Sequence, residues 1–170
     1  MVAEVPLSPW PALARGLLYG VLFVAFVLVF LPARVLDAAG VARPEGLGPA
    51  QLAGAVLVLA GGALAAWCVV TFALAGRGTP APFDPPRRLV VTGPYRHVRN
   101  PMYVGAGVAL AGAALYYGSL ALLGFLAFLG LAAHLFIVFY EEPTLGRLFG
   151  EEYDAYRARV RRWVPGRRSV

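Results

Sequence analysis

The chain has 170 residues, of which 59% are hydrophobic and only 14% are charged. Soluble domains carry about 25% charged residues, so this chain has too little charge to cover a water-soluble globule. The composition excludes an ordinary cytosolic domain and a disordered chain, and the single cysteine, Cys68, excludes a disulfide scaffold. We therefore predict one integral membrane domain over residues 1–170.

The four longest apolar segments are each long enough to cross the ~30 Å core of a bilayer as a helix. These predicted spans cover about 12–32, 50–75, 101–117 and 120–140. The last two are joined by a Tyr-Tyr-Gly-Ser turn at 116–119. In the tail, 143–170, apolar residues up to Trp163 recur at a helical period, which predicts an amphipathic helix on the membrane surface with Trp163 as an interfacial anchor. The predicted fold class is all-α, a polytopic membrane bundle of about four transmembrane helices plus this C-terminal interfacial helix.

The basic residues are all arginines, and they lie between and after the apolar segments. In that position they predict topology rather than a nucleic-acid surface, so we expect membrane lipids and no nucleic acid as partners. Most of them fall in the loop 76–100 and in the tail 143–170. The positive-inside rule then places this loop, the tail and both termini in the cytoplasm. The expected location is the inner (plasma) membrane.

The third predicted span begins with Asn100 and Pro101, a typical N-cap followed by a typical first helical residue. Its N-terminus would present free N–H groups beside Arg96 and Arg99. Such a helix terminus is suited to bind an anion such as a carboxylate or phosphate. The alternative is a capped helix whose arginines bind lipid phosphate.

Two adjacent carboxylates, Glu141 and Glu142, are predicted at the C-terminal end of the fourth span, where the helix dipole disfavours negative charge. A bound cation would offset this, or a nearby arginine would pair with one of them. His134 lies seven residues earlier on the same helix face, ~10 Å deeper in the membrane. It is either a substrate contact or a hydrogen-bonded interior histidine. A ligand with both a carboxylate and cationic centres would fit between the arginines and the glutamates.

Five short motifs follow one another over about residues 74–165. They are Gly-Pro-Tyr-Arg, Arg-Asn-Pro-Met-Tyr-x-Gly, Glu-Glu-Pro, Phe-Gly-Glu-Glu-Tyr-x-x-Tyr and Arg-Trp-x-Pro. In this order they resemble the superfamily of isoprenylcysteine carboxyl methyltransferases and phospholipid N-methyltransferases. The isoprenylcysteine enzymes usually have histidine where this chain has Asn100, so the resemblance favours the phospholipid-like form.

The resemblance implies an enzyme that transfers a methyl group from S-adenosylmethionine, which carries a carboxylate, an ammonium and a sulfonium. We expect catalytic roles for Arg99, Glu142 and, from its place on the helix face, His134. The residues expected to bind the cofactor, from the resemblance and the preceding arguments together, are Gly76, Gly78, Tyr95, Arg96, Asn100, Pro101, Tyr103, Gly105, Glu141, Glu142 and Tyr156. No group of metal ligands is expected.

The acceptor stays open at this point. Isoprenylcysteine, a phospholipid amine, a small thiol and a quinone-like lipid are all compatible with a lipophilic substrate that enters from the bilayer. A sterol-reductase-like membrane reductase and a non-enzymatic scaffold or transport subunit are the alternative functions. The sequence predicts neither a general base nor an oligomeric state.

Overall fold

The computed structural model describes Leu18, residues 21–76 and residues 88–166. Every regular element in these ranges is helical, which confirms the all-α fold. The elements are α1 (Val21–Ala38), α2 (Pro49–Gly76), a short 3₁₀ turn (Gly93–Arg96), α3 (Pro101–Tyr117), α4 (Leu120–Phe149) and α5 (Glu151–Arg159).

Three helices in the described part of the chain are long and apolar enough to cross a membrane. They are α1, residues Pro49–Phe72 of α2, and α4. The helix α3 has 17 residues and lies along α2, to which it is joined by the most extensive helix contact in the fold. The predicted start of the first span and most of the loop after α2 lie outside the described residues.

Two helices continue past the ends predicted for their spans, and past the proline near each end. The first span was expected to end at about residue 32 and the fourth at about residue 140, yet α1 extends to Ala38 and α4 to Phe149. Each proline follows a π-helical turn, Phe26–Phe30 before Pro32 and Ile137–Glu141 before Pro143. Such a turn changes the hydrogen-bond register and accommodates the backbone groups that proline leaves without a partner.

The helices α2 and α3 run antiparallel and touch through backbone at two pairs of buried glycines. Gly54 faces Gly112, and Gly61 faces Gly105. A Cβ on Gly54 would lie 2.6 Å from the Gly112 carbonyl oxygen, and one on Gly105 would lie 2.8 Å from the Gly61 carbonyl oxygen. In each helix the two glycines are seven residues apart, so they form one stripe of small residues. This stripe allows the close approach on which helix association in a membrane depends.

The turn between α3 and α4 has the predicted position. Gly118 adopts a left-handed conformation with φ +59° directly after α3. The Ser119 side chain then caps α4 by accepting a hydrogen bond from the Leu122 N–H at 3.3 Å. The helices α3 and α4 therefore form a tight hairpin.

The tail is helical as expected, but it is not one continuous amphipathic helix. It comprises the end of α4 and the separate helix α5, with a break at Gly150, whose φ is +49°. The described residues after Arg159, 160–166, are not helical. They fold back to the N-terminus of α3, where the Arg99 N–H donates a 2.9 Å hydrogen bond to the Arg161 carbonyl oxygen.

The glycine stripe predicts a position-specific loss of stability. Gly61→Ala places a methyl group against the backbone of α3, at Gly105 and Ala109. We expect the free energy of unfolding in detergent to fall by about 1–3 kcal/mol, as for other overpacked sites. Gly62→Ala is the matched control, because a Cβ there meets no atom within 4 Å. Equal stability of the two variants would contradict the proposed backbone contact.

Candidate functional site

The returning tail docks on the N-terminus of α3 through two backbone carbonyls. Besides the bond to Arg161, the Asn100 Nδ2 donates to the Arg162 carbonyl oxygen at 3.3 Å. Asn100 occupies the N-cap position, and Pro101 follows it as predicted, but the Asn100 side chain makes no capping hydrogen bond. Its amide holds the tail instead. The expectation of an asparagine side-chain cap was therefore wrong.

Glu142 is the centre of an ion cluster that joins three segments. Its two carboxylate oxygens accept from the Nε and Nη2 of Arg162 at 2.7 and 2.8 Å. The Arg99 Nη2 lies 3.2 Å from the same carboxylate. The Arg99 and Glu142 side chains are only 7% and 15% exposed, so water screens this pair weakly. The expected pairing of one glutamate with an arginine is confirmed, with two arginines bound rather than one.

Arg99 is held on a second side by the tail, since its Nη1 donates to the Tyr153 hydroxyl at 3.4 Å. The Arg99 Nε is buried and has no hydrogen-bond partner within the described residues. The hydrogen bond from Arg162 to Glu142 raises the pKa of the Arg162 guanidinium.

Glu141 differs sharply from its neighbour. Its Oε2 accepts a 3.4 Å hydrogen bond from the Tyr103 hydroxyl of α3. The Glu141 side chain is half-buried and makes no ion pair with any described residue. The sequence analysis placed Glu141 and Glu142 at a helix C-terminus, which is wrong, because α4 continues through Phe149. The dipole argument for a bound cation therefore no longer holds. What remains is that no described residue forms an ion pair with Glu141.

A second group of side chains lies beside Tyr103, where Trp163 packs between two helices. The Trp163 Nε1–H donates to the His134 Nδ1 at 3.2 Å, with the ring centroids 6.1 Å apart. The indole also meets the Tyr103 ring edge-on, with the ring centroids 6.5 Å apart. Trp163 is half-buried and packs against α3 and α4, and its role as an interfacial anchor stays a prediction.

Tyrosines of the tail and of the loop before α3 connect these two segments to each other and to α2. The Tyr156 hydroxyl donates a 2.7 Å hydrogen bond to the Tyr95 carbonyl oxygen, and the Tyr95 side chain packs with Cys68 and Val90. Burial raises the pKa of Tyr95 and Tyr156, and it raises the pKa of Tyr153 to about 12. These phenols are neutral at physiological pH and are not suited to act as bases.

The structure brings most of the residues predicted from the sequence into one region. The group in or directly beside the polar cluster contains Tyr95, Arg99, Asn100, Tyr103, His134, Glu141, Glu142 and Tyr156. Arg96 is exposed at the end of the 3₁₀ turn, and Pro101 is fully buried at the start of α3. Gly105 lies in the α2 contact, Gly76 is the last residue of α2, and Gly78 lies outside the described residues.

Three members of the cluster were missing from the predicted site, namely Tyr153, Arg162 and Trp163. The motifs Glu-Glu-Tyr-x-x-Tyr and Arg-Trp-x-Pro contain all three, so the sequence did carry a signal for them. Within the described residues no group of histidine, cysteine or acidic side chains has a metal-binding arrangement.

The ion cluster predicts that Glu142 anchors the tail. Glu142→Gln leaves two close guanidinium groups without their shared carboxylate, and removal of one partner of a buried ion pair costs about 3–5 kcal/mol. We expect faster tryptic cleavage and faster amide exchange in residues 151–166. The control is Glu152→Gln, an exposed residue of the same tail. A tail equally protected in both variants would contradict the anchoring role.

A comparison with known protein families matches the part of the chain that contains most of this cluster. A family model described as phospholipid methyltransferase matches residues 50–152. This match includes the glycine stripe, the hairpin, Glu141 and Glu142, and it favours a methyltransferase over a sterol-reductase-like protein. No curated protein and no solved structure matches the chain. The matched segment covers more than half of the 170 residues, and the chain belongs to the phospholipid methyltransferase family.

Proposed function

We propose that this protein transfers a methyl group from S-adenosylmethionine to a lipophilic acceptor, with a phospholipid amine as the first acceptor to test. The observation that carries the proposal is Glu141, a half-buried carboxylate with a hydrogen bond from Tyr103 and no cation partner among the described residues. The family supplies the reaction class. The carboxylate supplies the reason to expect a cationic ligand at this place.

The residues fit such a cofactor in charge and position. A carboxylate in a poorly solvated place is costly without a counter-charge, and the ammonium and sulfonium centres of S-adenosylmethionine are positive. Glu141 would meet one of them, while the Tyr103 hydroxyl holds the carboxylate in place. Glu142 is already neutralised by Arg99 and Arg162. We therefore assign cation binding to Glu141 and support of the site to Glu142.

The carboxylate end of the cofactor needs positive charge or free N–H groups. The buried Arg99 is engaged with Glu142 and Tyr153, whereas Arg96 is exposed three residues earlier. The first N–H groups of α3 follow directly, since Pro101 begins that helix. We propose that Arg96 and this helix terminus bind the carboxylate of the cofactor. The ion pair between Arg99 and Glu142 holds the terminus in position.

The cofactor supplies an activated methyl group on a sulfonium, so the chain itself needs mainly to align the acceptor. The acceptor's lone pair forms the new bond to the methyl carbon, and the carbon–sulfur bonding pair stays on sulfur as a neutral thioether. An amine acceptor must lose one proton in the overall reaction. The buried phenols Tyr95 and Tyr156 are not suited to take it, because burial raises their pKa.

We propose that the site opens to the cytoplasm of an inner (plasma) membrane. The described arginines of the loop before α3 and of the tail lie at one end of the bundle, where the Arg99 N–H binds the Arg161 carbonyl. The positive-inside rule favours the cytoplasm for such an end. A water-soluble cofactor would enter there, and a lipid would enter from the bilayer.

Glu141→Gln should weaken S-adenosylmethionine binding by about 10–100-fold, because a hydrogen-bonded charge is replaced by a neutral amide. Isothermal titration of the detergent-purified protein measures this directly. Glu45→Gln is the matched control, since Glu45 is exposed on the connection between α1 and α2. An unchanged affinity of the Glu141→Gln variant for S-adenosylmethionine would contradict the site assignment. The absence of saturable S-adenosylmethionine binding to the folded wild-type protein would contradict the proposed function itself.

A further inference from the structure

His134 is the single polar side chain of the helical segment Leu120–Phe136. Ionisable groups inside a membrane span are costly and are commonly retained for function. The residue is seven positions before Glu141 on α4, which places it ~10 Å farther from the charged end. It is half-buried, so part of the ring is open to a ligand or lipid.

The hydrogen bond from Trp163 determines what His134 can offer. Because the indole N–H donates to Nδ1, the neutral imidazole carries its proton on Nε2. No described residue accepts a hydrogen bond from Nε2. The ring therefore has one nitrogen engaged by the tail and one N–H donor still available.

Trp163 also connects His134 to the charged part of the site. Its indole lies 6.1 Å from the His134 ring and 6.5 Å from the Tyr103 ring, measured between centroids. Tyr103 in turn donates to Glu141. The four side chains form a continuous wall that begins at the Glu141 carboxylate and ends at the His134 imidazole, and they come from α3, α4 and the tail.

We propose that His134 and Trp163 position the lipid acceptor: the Nε2–H donates to a phosphate or ester oxygen of its headgroup, and the indole packs against the adjoining chain. This inference depends on the proposed function, which puts the cofactor at Glu141. The lipid then approaches from the membrane side, where His134 is the available donor. His134 acts as a donor in this scheme, not as a base.

Two substitutions of His134 separate this role from a purely structural one. Asn presents an amide near the position of Nδ1, so it can still accept from Trp163 but has no donor at the Nε2 position. Gln retains a donor near Nε2 and loses the acceptor. In vesicles that contain a graded fraction of phosphatidylethanolamine, we expect His134→Asn to raise KM for the lipid about tenfold. The Kd for S-adenosylmethionine should not change.

His134→Gln should raise KM for the lipid less than His134→Asn does, because the donor is retained. A structural role predicts the opposite order, with wild-type behaviour of the Asn variant and loss of tail protection in the Gln variant. That opposite order would overturn the proposal. Trp163→Phe keeps the aromatic packing and removes the N–H donor, and it should also raise KM with the cofactor Kd unchanged.

A binding measurement that needs no turnover gives an independent test. Trp10→Phe and Trp67→Phe leave Trp163 as the single tryptophan of the full chain. Its fluorescence should be quenched by phosphatidylethanolamine with brominated acyl chains, and His134→Asn should weaken this quenching, because the phosphate or ester oxygen loses its donor. Equal quenching with and without the His134→Asn substitution, or no quenching in either protein, would overturn the inference.

The two proposals fail in different ways. A protein that lacks S-adenosylmethionine binding but retains quenching that depends on His134 would contradict the methyl-transfer proposal and leave the lipid contact in place. A protein that binds S-adenosylmethionine but whose quenching does not depend on His134 would contradict only the role of His134 and Trp163.

Discussion

The candidate site depends on one interaction, the binding of both Arg99 and Arg162 by the carboxylate of Glu142. This cluster fastens the end of the chain to the hairpin of α3 and α4. Because Arg162 is held there, the next residue, Trp163, lies against Tyr103 and His134. Without the cluster, the segment after α5 would keep the hydrogen bonds that the Arg99 N–H and the Asn100 side chain donate to its carbonyls, but it would have no charged contact to α4. The ion cluster thus determines the position of Trp163 beside Tyr103 and His134.

Glu141 and Glu142 are neighbours in sequence but have different surroundings. Successive residues of a helix point about 100° apart, so one carboxylate faces Tyr103 of α3 and the other faces the arginines. Glu142 is saturated by protein cations, whereas Glu141 has only a neutral donor among the described residues. In our account this difference gives the two residues separate tasks, one in holding the tail and one in binding a cationic ligand.

Hydropathy and turn chemistry were sufficient to predict the helical bundle, the hairpin at Gly118 and Ser119, and the start of α3 at Pro101. The helix ends at Ala38 and Phe149 were not predictable from Pro32 and Pro143, because a π turn precedes each proline and the helix continues past it. The same turn explains why the dipole argument for Glu141 failed. Which arginine of the tail pairs with Glu142 depends on contacts between residues far apart in the sequence. Several arginines there are equivalent by composition, and only the fold selects Arg162.

The central claim is that a methyl group passes from a cofactor at Glu141 to a lipid that reaches the site from the bilayer. Its most direct test uses the purified full chain in phosphatidylethanolamine vesicles with S-adenosylmethionine that carries an isotopically labelled methyl group. Mass spectrometry of the extracted lipids should find the label on the headgroup amine, with time-dependent accumulation for the wild-type protein and little for Glu141→Gln. Lipids without label, from a protein that is folded and saturated with S-adenosylmethionine, would contradict the account for this acceptor.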